Sequence, residues 1–379
     1  MGAPKITDVE AFYLRPGVIK NRNDSSQDAL VIRVSTDAGI EGFGEVDSCP
    51  SVAKAIVEAP ASHPMARGLR DILLGEDPRH VERLWDLMYQ GTQYYGREGA
   101  AIQAMAGVDL ALWDIKGKLL NEPVYSLLGG AYQKSVRAYA SHMFDFDPEV
   151  TGKRAAAARD AGFTAVKFGW EPMGPDPVLD ETLVKAIRDS VGDDVAVCID
   201  AGHVWDAQTA IQRCQLFEPY HIYWLEEPLR PDDLRGYRHL AASVTTPIAA
   251  GENESTVAGF LRLMDEGQIG VVQVDVTRVG LTQARRIALL AHQRGLRCAN
   301  HNFTSDINVA ASLHFLCSIP NALMLEYCME ASPLRSTLTR HPIEVIDGFA
   351  TVPEAPGLGV EVNLAAVEQF AVDGPRERS

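Results

Sequence analysis

Residues 162–170 read GFTAVKFGW: a turn glycine, an apolar run, then Lys167, Gly169 and Trp170. A strand that is apolar on both faces is buried on both, and such strands belong to parallel sheets. This one closes on a lone lysine, and a charge at a buried strand end needs a partner. The same texture recurs along the chain. SVRAYAS (135–141), TAVKFG (164–169), DVAVCID (194–200), IYWLEEP (222–228), TTPIAAGE (245–252), GVVQVD (270–275), LRCANH (296–301) and ALMLEY (322–327) give eight strand candidates. Amphipathic segments separate them. In GLTQARRIALLAHQRG (280–295), Leu281, Ala284, Ile287, Ala288 and Ala291 fall on one helical face. Eight such strands alternating with helices predict a closed (β/α) barrel in an α/β protein, rather than an open doubly wound sheet.

The flanks of this region have another texture. KITDVEAFYL (5–14) and ALVIRVSTDAGIEGFGEV (29–46) alternate apolar and polar residues, as antiparallel strands do, with a turn at 37–39. DPRHVERLWDLMYQ (77–90) and AAIQAMAGVDLALWDIKGKLLN (100–121) read as helices. GIEGFG has the wrong glycine order for a dinucleotide fingerprint and lies in the expected hairpin. After about residue 343 the pattern breaks into a Pro/Gly-rich tail, IDGFATVPEAPGLGVEVN (346–363), expected to pack back on the first part.

Composition narrows the partners. With 379 residues, 46% hydrophobic and 23% charged, the chain reads as an ordinary soluble protein. A net charge of −16 argues against nucleic acid and anionic membranes, both of which need a basic surface. Six cysteines stand apart with no CxxC pair, so no zinc ribbon or redox pair is read. No apolar run is long enough to span a bilayer and the first residues carry no signal core, so a cytoplasmic location is expected.

The informative residues are the polar ones that end the strands. Lys167, Asp200, Glu226, Glu252, Asp275, His301 and Glu326 each close a different candidate strand, at separations of 33, 26, 26, 23, 26 and 25 residues. In a parallel barrel those ends meet at one mouth, where barrel enzymes keep their chemistry. Asp200, Glu226 and Glu252 lie on consecutive strands, and three converging carboxylates repel unless a cation joins them. All-oxygen donors favour Mg²⁺, although His203, three residues past Asp200, keeps zinc open. Asp275 one strand before His301 can hold the imidazole in one tautomer, leaving the other nitrogen as base. Glu227, beside Glu226, reads as a structural carboxylate facing away.

At these residues the sequence resembles the mandelate racemase-like branch of the enolase superfamily, over nearly its whole length. GVDLALWDIKGKLLNEPVYSLLGG (107–130) is similar to the helix that joins that family's capping domain to its barrel. DAGHVWD (200–206), WLEEPL (224–229) and AAGENES (249–255) resemble its metal-ligand segments. VDVTRVGLTQARRIALLAHQRG (274–295), CANHNF (298–303) and MLEY (324–327) resemble those carrying its dyad and opposing acid.

The resemblance implies a modified TIM barrel, (β/α)7β, with an α+β N-terminal capping domain completed by the C-terminal tail. The expected partition is 1–130 capping domain, 131–342 barrel and 343–379 returning segment. It implies Mg²⁺ on Asp200, Glu226 and Glu252, His301 as base, Asp275 as its orienter and Glu326 as electrophile. Lys167 contacts the substrate carboxylate. The implied partner is a small carboxylate, and the implied assembly a homo-oligomer.

Two positions depart from the family pattern. Gly169 stands where a second lysine often serves as the opposing base, and Gly202 where an asparagine is usual. With one base, the reading is dehydration of a sugar acid to a 2-keto-3-deoxy acid; Glu326, if protonated in the site, can donate a hydrogen bond to the enediolate. His301, His203 and Tyr327 are the candidate acids for the leaving hydroxyl. The alternative is a racemase or epimerase with Lys167 as second base; a catalytically idle barrel binding an anion is a third. Gly169 is expected to leave room for the substrate, and Trp170 to wall it. Loops 15–27 and 46–54 are the lid candidates, with Arg22, Asn23 and Ser51 as polar groups for the substrate.

Overall fold

The computed structural model describes residues 3–372. Strands β1 (Ile6–Leu14), β2 (Ala29–Thr36) and β3 (Glu41–Val46) form an antiparallel sheet in that order. The helix Ala100–Leu120 lies on this sheet. It is apolar on nearly every side and buried almost throughout, which explains its lack of amphipathic periodicity. Gly42 and Gly44 of GIEGFG set its distance. A Cβ on Gly44 would fall on the Gly107 carbonyl, and one on Gly42 on the Ala111 carbonyl. The glycines thus serve helix–sheet packing.

Strands β4 (Ser135–Met143), β5 (Ala165–Gly169), β6 (Ala196–Asp200), β7 (Trp224–Glu226), β8 (Ile248–Ala250), β9 (Val271–Val274) and β10 (Arg297–Asn300) pair in parallel in chain order. Strand β11 (Leu325–Cys328) pairs with β4. The circle closes just before β11, where Cys298 and Ala322 form a parallel bridge and Leu323 N donates to Cys298 O at 2.8 Å. A helix follows each strand from β4 to β10, which makes a (β/α)7β barrel. Its floor combines large Tyr139 and Trp224 with Ala165, Ala249 and Ala299, the two rings meeting edge to face at 5.4 Å. One strand runs longer than expected: β4 continues through His142 and Met143 to the barrel mouth.

The tail differs in part from its expected course. Strands β12 (Val345–Ile346) and β13 (Phe349–Thr351) form a hairpin that pairs antiparallel with β4, so this stretch pads the barrel. Only beyond it does the chain reach the capping sheet. Leu358 N donates to Asp114 Oδ1 at 2.9 Å, Arg15 N to Phe370 O at 2.8 Å and Val372 N to Tyr13 O at 2.8 Å. Residues 373–379 of the expected segment lie outside the described residues. Among the described residues, no helix is long and apolar enough to cross a membrane.

Candidate active site

The parallel register brings the strand ends side by side. Gly169 lies beside Asp200, and Asp200 beside Glu226. Asp200, Glu226 and Glu252 are buried, and each offers an oxygen within 4.8 Å of the others. Burial raises all three carboxyls above their usual range; neighbouring carboxylates add to the rise, while Lys167, and at Glu252 also His301 and Arg278, oppose it without cancelling it. Glu226 reaches about 7. Asp200 Oδ1 accepts from Gly202 N at 2.9 Å and Glu226 Oε2 from Trp224 Nε1 at 3.0 Å, which fixes both groups from behind. A buried, mutually repelling, all-oxygen set fits a hard divalent cation.

Lys167 is buried among the same carboxylates. Its Nζ pairs with Glu226 Oε1, lies 2.7 Å from Glu326 Oε1 and 3.9 Å from Asp200 Oδ2. Burial alone pulls its proton affinity down, but the charges of Glu226 and Glu326 outweigh that and hold it well above the usual lysine value. Glu326 also accepts from Ser141 Oγ at 2.7 Å and from Asn302 N at 2.8 Å. Burial would raise its carboxyl, yet Lys167 and His301 bring it below the usual range. This arrangement favours the ionised carboxylate of Glu326, an acceptor, over the protonated form that could donate to an enediolate.

His301 Nδ1 and Asp275 Oδ2 are 2.7 Å apart. Asp275 Oδ1 is held by Thr277 N at 2.7 Å and Thr277 Oγ1 at 2.5 Å. The other imidazole nitrogen, Nε2, lies 3.4 Å from Glu252 Oε2. Burial lowers the proton affinity of His301, but the Glu252 charge and the Asp275 hydrogen bond push it up to about 10.

Behind the dyad stands a pair that sequence reasoning missed. Arg278 NH2 donates to Asp47 Oδ2 at 3.0 Å and NH1 to Glu252 O at 2.9 Å, with Nε 3.8 Å from Asp275 Oδ2. Asp47 comes from the capping sheet and its Oδ2 is 3.9 Å from His301 Nδ1. Asp47 lies within the 46–54 stretch and Arg278 three residues after Asp275, so both stood in segments already singled out.

Lys167, Asp200, Glu252, Arg278 and His301 line a cavity of about 230 Å³ together with Asn23, Asp24, His142, Met143, Trp170 and Phe303, while Glu226, Glu326 and Asp275 contact these groups without lining it. A larger hollow of about 690 Å³ between residues 85–102 and 255–258 contains none of the strand-end charges, so the chemistry belongs to the smaller one. Asn23 and Trp170 line this cavity. Arg22 pairs with Asp24 and is not among the lining residues. Ser51 stands in the first turn of the helix Pro50–Glu58 and lines a separate apolar hollow, because the 46–54 stretch turns helical at residue 50. His203 is likewise engaged elsewhere: its Nε2 is 2.9 Å from Glu227 Oε2 and 3.1 Å from Asn253 Nδ2, and it does not line the cavity. With Glu227 and Glu252 it forms a second group of possible ligands, but its hydrogen bonds already occupy it. Tyr327 OH donates to Ile343 O at 2.9 Å, also outside the cavity.

Both family departures have a local cause. A Cβ on Gly169 would lie 2.7 Å from Asp200 Cβ, so the room left by the missing side chain is taken by a carboxylate rather than by substrate. Gly202 has φ +60, and a Cβ there would lie 2.9 Å from the Trp170 indole. The wall residue Trp170 thus stands where a larger residue at 202 would collide with it.

A capped (β/α)7β barrel with three strand-end carboxylates and a His–Asp pair defines an enzyme of the enolase superfamily. The chain belongs to its mandelate racemase-like branch: residues 5–129 match the mandelate racemase/muconate lactonizing enzyme N-terminal domain, and residues 151–366 the enolase C-terminal domain-like model. It is 30% identical to D-galactarolactone cycloisomerase of Agrobacterium fabrum over 91% of this chain and 92% of that one. It is 31% identical to D-xylonate dehydratase of Haloferax volcanii, over 98% of this chain and 90% of that protein. The crystal structure of 3,6-anhydro-D-galactonate cycloisomerase from Zobellia galactanivorans superposes with a TM-score of 0.88 at 30% identity, covering 97% of this chain and 99% of that one.

Proposed function

We propose that the protein removes the proton α to a carboxylate with the help of Mg²⁺, and that its reaction is dehydration of a sugar acid to a 2-keto-3-deoxy acid. The observation that carries this reading is the convergence of Asp200, Glu252, Lys167 and His301 on one small cavity, with Glu226 beside the other two carboxylates and Asp275 paired with His301. Held by the three carboxylates, Mg²⁺ would supply positive charge beside the substrate carboxylate. Lys167 adds a second positive charge there. Both favour the doubly charged enediolate over the singly charged ground state, which is the differential binding that lowers a barrier. His301 Nε2 takes the C2 proton, and Asp275 stabilises the imidazolium that forms. The C3–O bond then breaks. Hydroxide leaves as water with the proton carried by His301, and the enol tautomerises to the keto acid.

One-base elimination is favoured over racemisation for two reasons. No side chain at 169 offers a second base, and the Asp200 carboxylate fills that place. Lys167 is held protonated by its carboxylates, so it orients and neutralises rather than abstracts. A second reading follows from the cycloisomerase relatives. Where the β-oxygen belongs to a ring, the same elimination opens the ring and yields an isomer, with no loss of water. The test is turnover of aldonic, aldaric and lactone or anhydro acids with Mg²⁺ in D₂O. Keto-acid formation supports elimination; α-deuterated substrate without keto acid would establish the epimerase instead.

A further inference from the structure

The cavity contains a buried imidazole that the proposed chemistry does not use. His142 stands near the end of β4 beside Phe168 of β5, on whose ring it stacks at 5.0 Å and 18°. It is one residue past Ser141, which contacts Glu326, so it lies at the outer edge of the reacting groups. Its Nε2 is buried without a hydrogen-bond partner. Its Nδ1 is 4.0 Å from Glu330 Oε1, which is committed to Met143 N at 3.1 Å and Arg154 NH1 at 3.3 Å. Burial, then the Arg154 charge, hold the ring down to about 4, so it is neutral. A neutral imidazole is a donor on one nitrogen and an acceptor on the other. An imidazole without a partner is unfavourable away from water, and a ligand hydroxyl that pairs with it recovers that loss on binding.

We propose that His142 is a specificity-determining residue, its imidazole forming a hydrogen bond with a hydroxyl of the substrate beyond the reacting carbons. The site then selects polyhydroxylated acids over acids with a plain alkyl chain. This rests on the sugar-acid reading and names the contact that would enforce it. Asn23 and Ser25 of the 15–27 loop line the same cavity and offer further polar atoms for such a chain. Unlike the strand-end charges, His142 records no hydrogen bond or ion pair with Asp200, Glu226, Glu252 or His301 among the described residues. Its replacement therefore leaves the abstraction machinery in place.

The experiment is calorimetric binding to the full chain with Mg²⁺, using the tightest ligand from a panel of five- and six-carbon aldonates and, for comparison, 2-hydroxybutyrate. The wild type is expected to favour the aldonate. His142→Phe should weaken aldonate binding about 10-fold, equal to about 1.4 kcal/mol, and leave 2-hydroxybutyrate unchanged. His142→Gln, which keeps a polar end, should restore part of the preference. Thermal melting of both variants checks the fold. Equal loss for both ligands, or no loss for either, overturns the proposal. A wild type with no preference for any aldonate overturns it together with the sugar-acid reading, whereas an unaltered preference in His142→Phe overturns the His142 contact alone.

Discussion

Asp47 and Arg278 meet across the seam between the capping sheet and the barrel, with 3.0 Å between Asp47 Oδ2 and Arg278 NH2. Burial opposes the Arg278 charge, but Asp47, Glu252 and Asp275 outweigh it, so its guanidinium is held above the usual value. The pair is unequal: Arg278 keeps two other carboxylates if Asp47 is lost, whereas all three carboxylates lose one of their cations if Arg278 is lost. Breaking a buried pair from one side costs about 3–5 kcal/mol. Arg278→Met should therefore show that full loss in urea denaturation, and Asp47→Ala clearly less. Equal losses would sink the argument.

Gly169→Ala should weaken Mg²⁺ binding. Its new Cβ would press on Asp200 Cβ from 2.7 Å, and Asp200 is a proposed ligand. A loss of about 10-fold corresponds to about 1.4 kcal/mol, a modest cost for displacing one of three carboxylates. Calorimetric titration with Mg²⁺ measures it, and unchanged affinity would show that Asp200 does not hold the ion.

His301 should lose protons more readily when Mg²⁺ is added. The Glu252 charge is the leading cause that lifts it to about 10, and a cation on Glu252 offsets that charge. Imidazole NMR signals, assigned with His301→Asn, read the shift directly; an unmoved titration in saturating Mg²⁺ would refute it. As the base must be neutral, α-proton exchange should rise with pH through the lowered value. His301→Asn should cut exchange by about 10²–10⁴-fold.

Stability should fall as pH rises from about 4.5 to about 7. Glu45 is buried at the cap–barrel contact, where Oε2 accepts from Ser305 Oγ at 2.7 Å and Asn308 N at 3.2 Å while Oε1 has no partner. Burial lifts its carboxyl from 4.5 to about 7. In that window the folded chain keeps a proton that the unfolded chain has released, so raising pH favours unfolding. The shift is worth on the order of 3 kcal/mol. Asp109, also raised to about 7 by burial, acts in the same sense. Glu226, raised to about 7 as well, adds to the fall. Glu45→Gln should thus flatten, without abolishing, the slope of urea midpoints between pH 5 and pH 7; an undiminished slope would exclude Glu45 as a source.

Much of the site could be read from the chain because the barrel repeats. Each βα unit spends a similar number of residues, so the polar residues closing successive apolar runs face one mouth, from Lys167 to Glu326. Asp47 and Arg278 follow no such period: one belongs to another sheet, and the other lies on a helix turn past a strand end. Their meeting depends on how the cap sits on the barrel, which local patterns do not encode. His142 was hidden by strand length, since SVRAYAS reads as complete at Ser141 while β4 runs on to Met143. Ser51 was misplaced for the opposite reason: proline at position 50 opens a helix inside a stretch that reads as loop.

The hydrogen bonds from Arg15 to Phe370 and from Val372 to Tyr13 join segments far apart in the chain, so one is made well before the other. The barrel has the same property, because β4 must wait for β11 before its circle closes. At ribosomal speeds of about 5–20 residues per second, the first strand waits on the order of half a minute for its last partners. During that interval the sheet it shares with β2 and β3 is covered by the helices that precede the barrel, Pro50–Glu58, Leu69–Leu73 and Ala100–Leu120, but not by the residues around Phe370. Chaperone dependence, and sensitivity to loss of the residues around Phe370, should therefore be concentrated in β1.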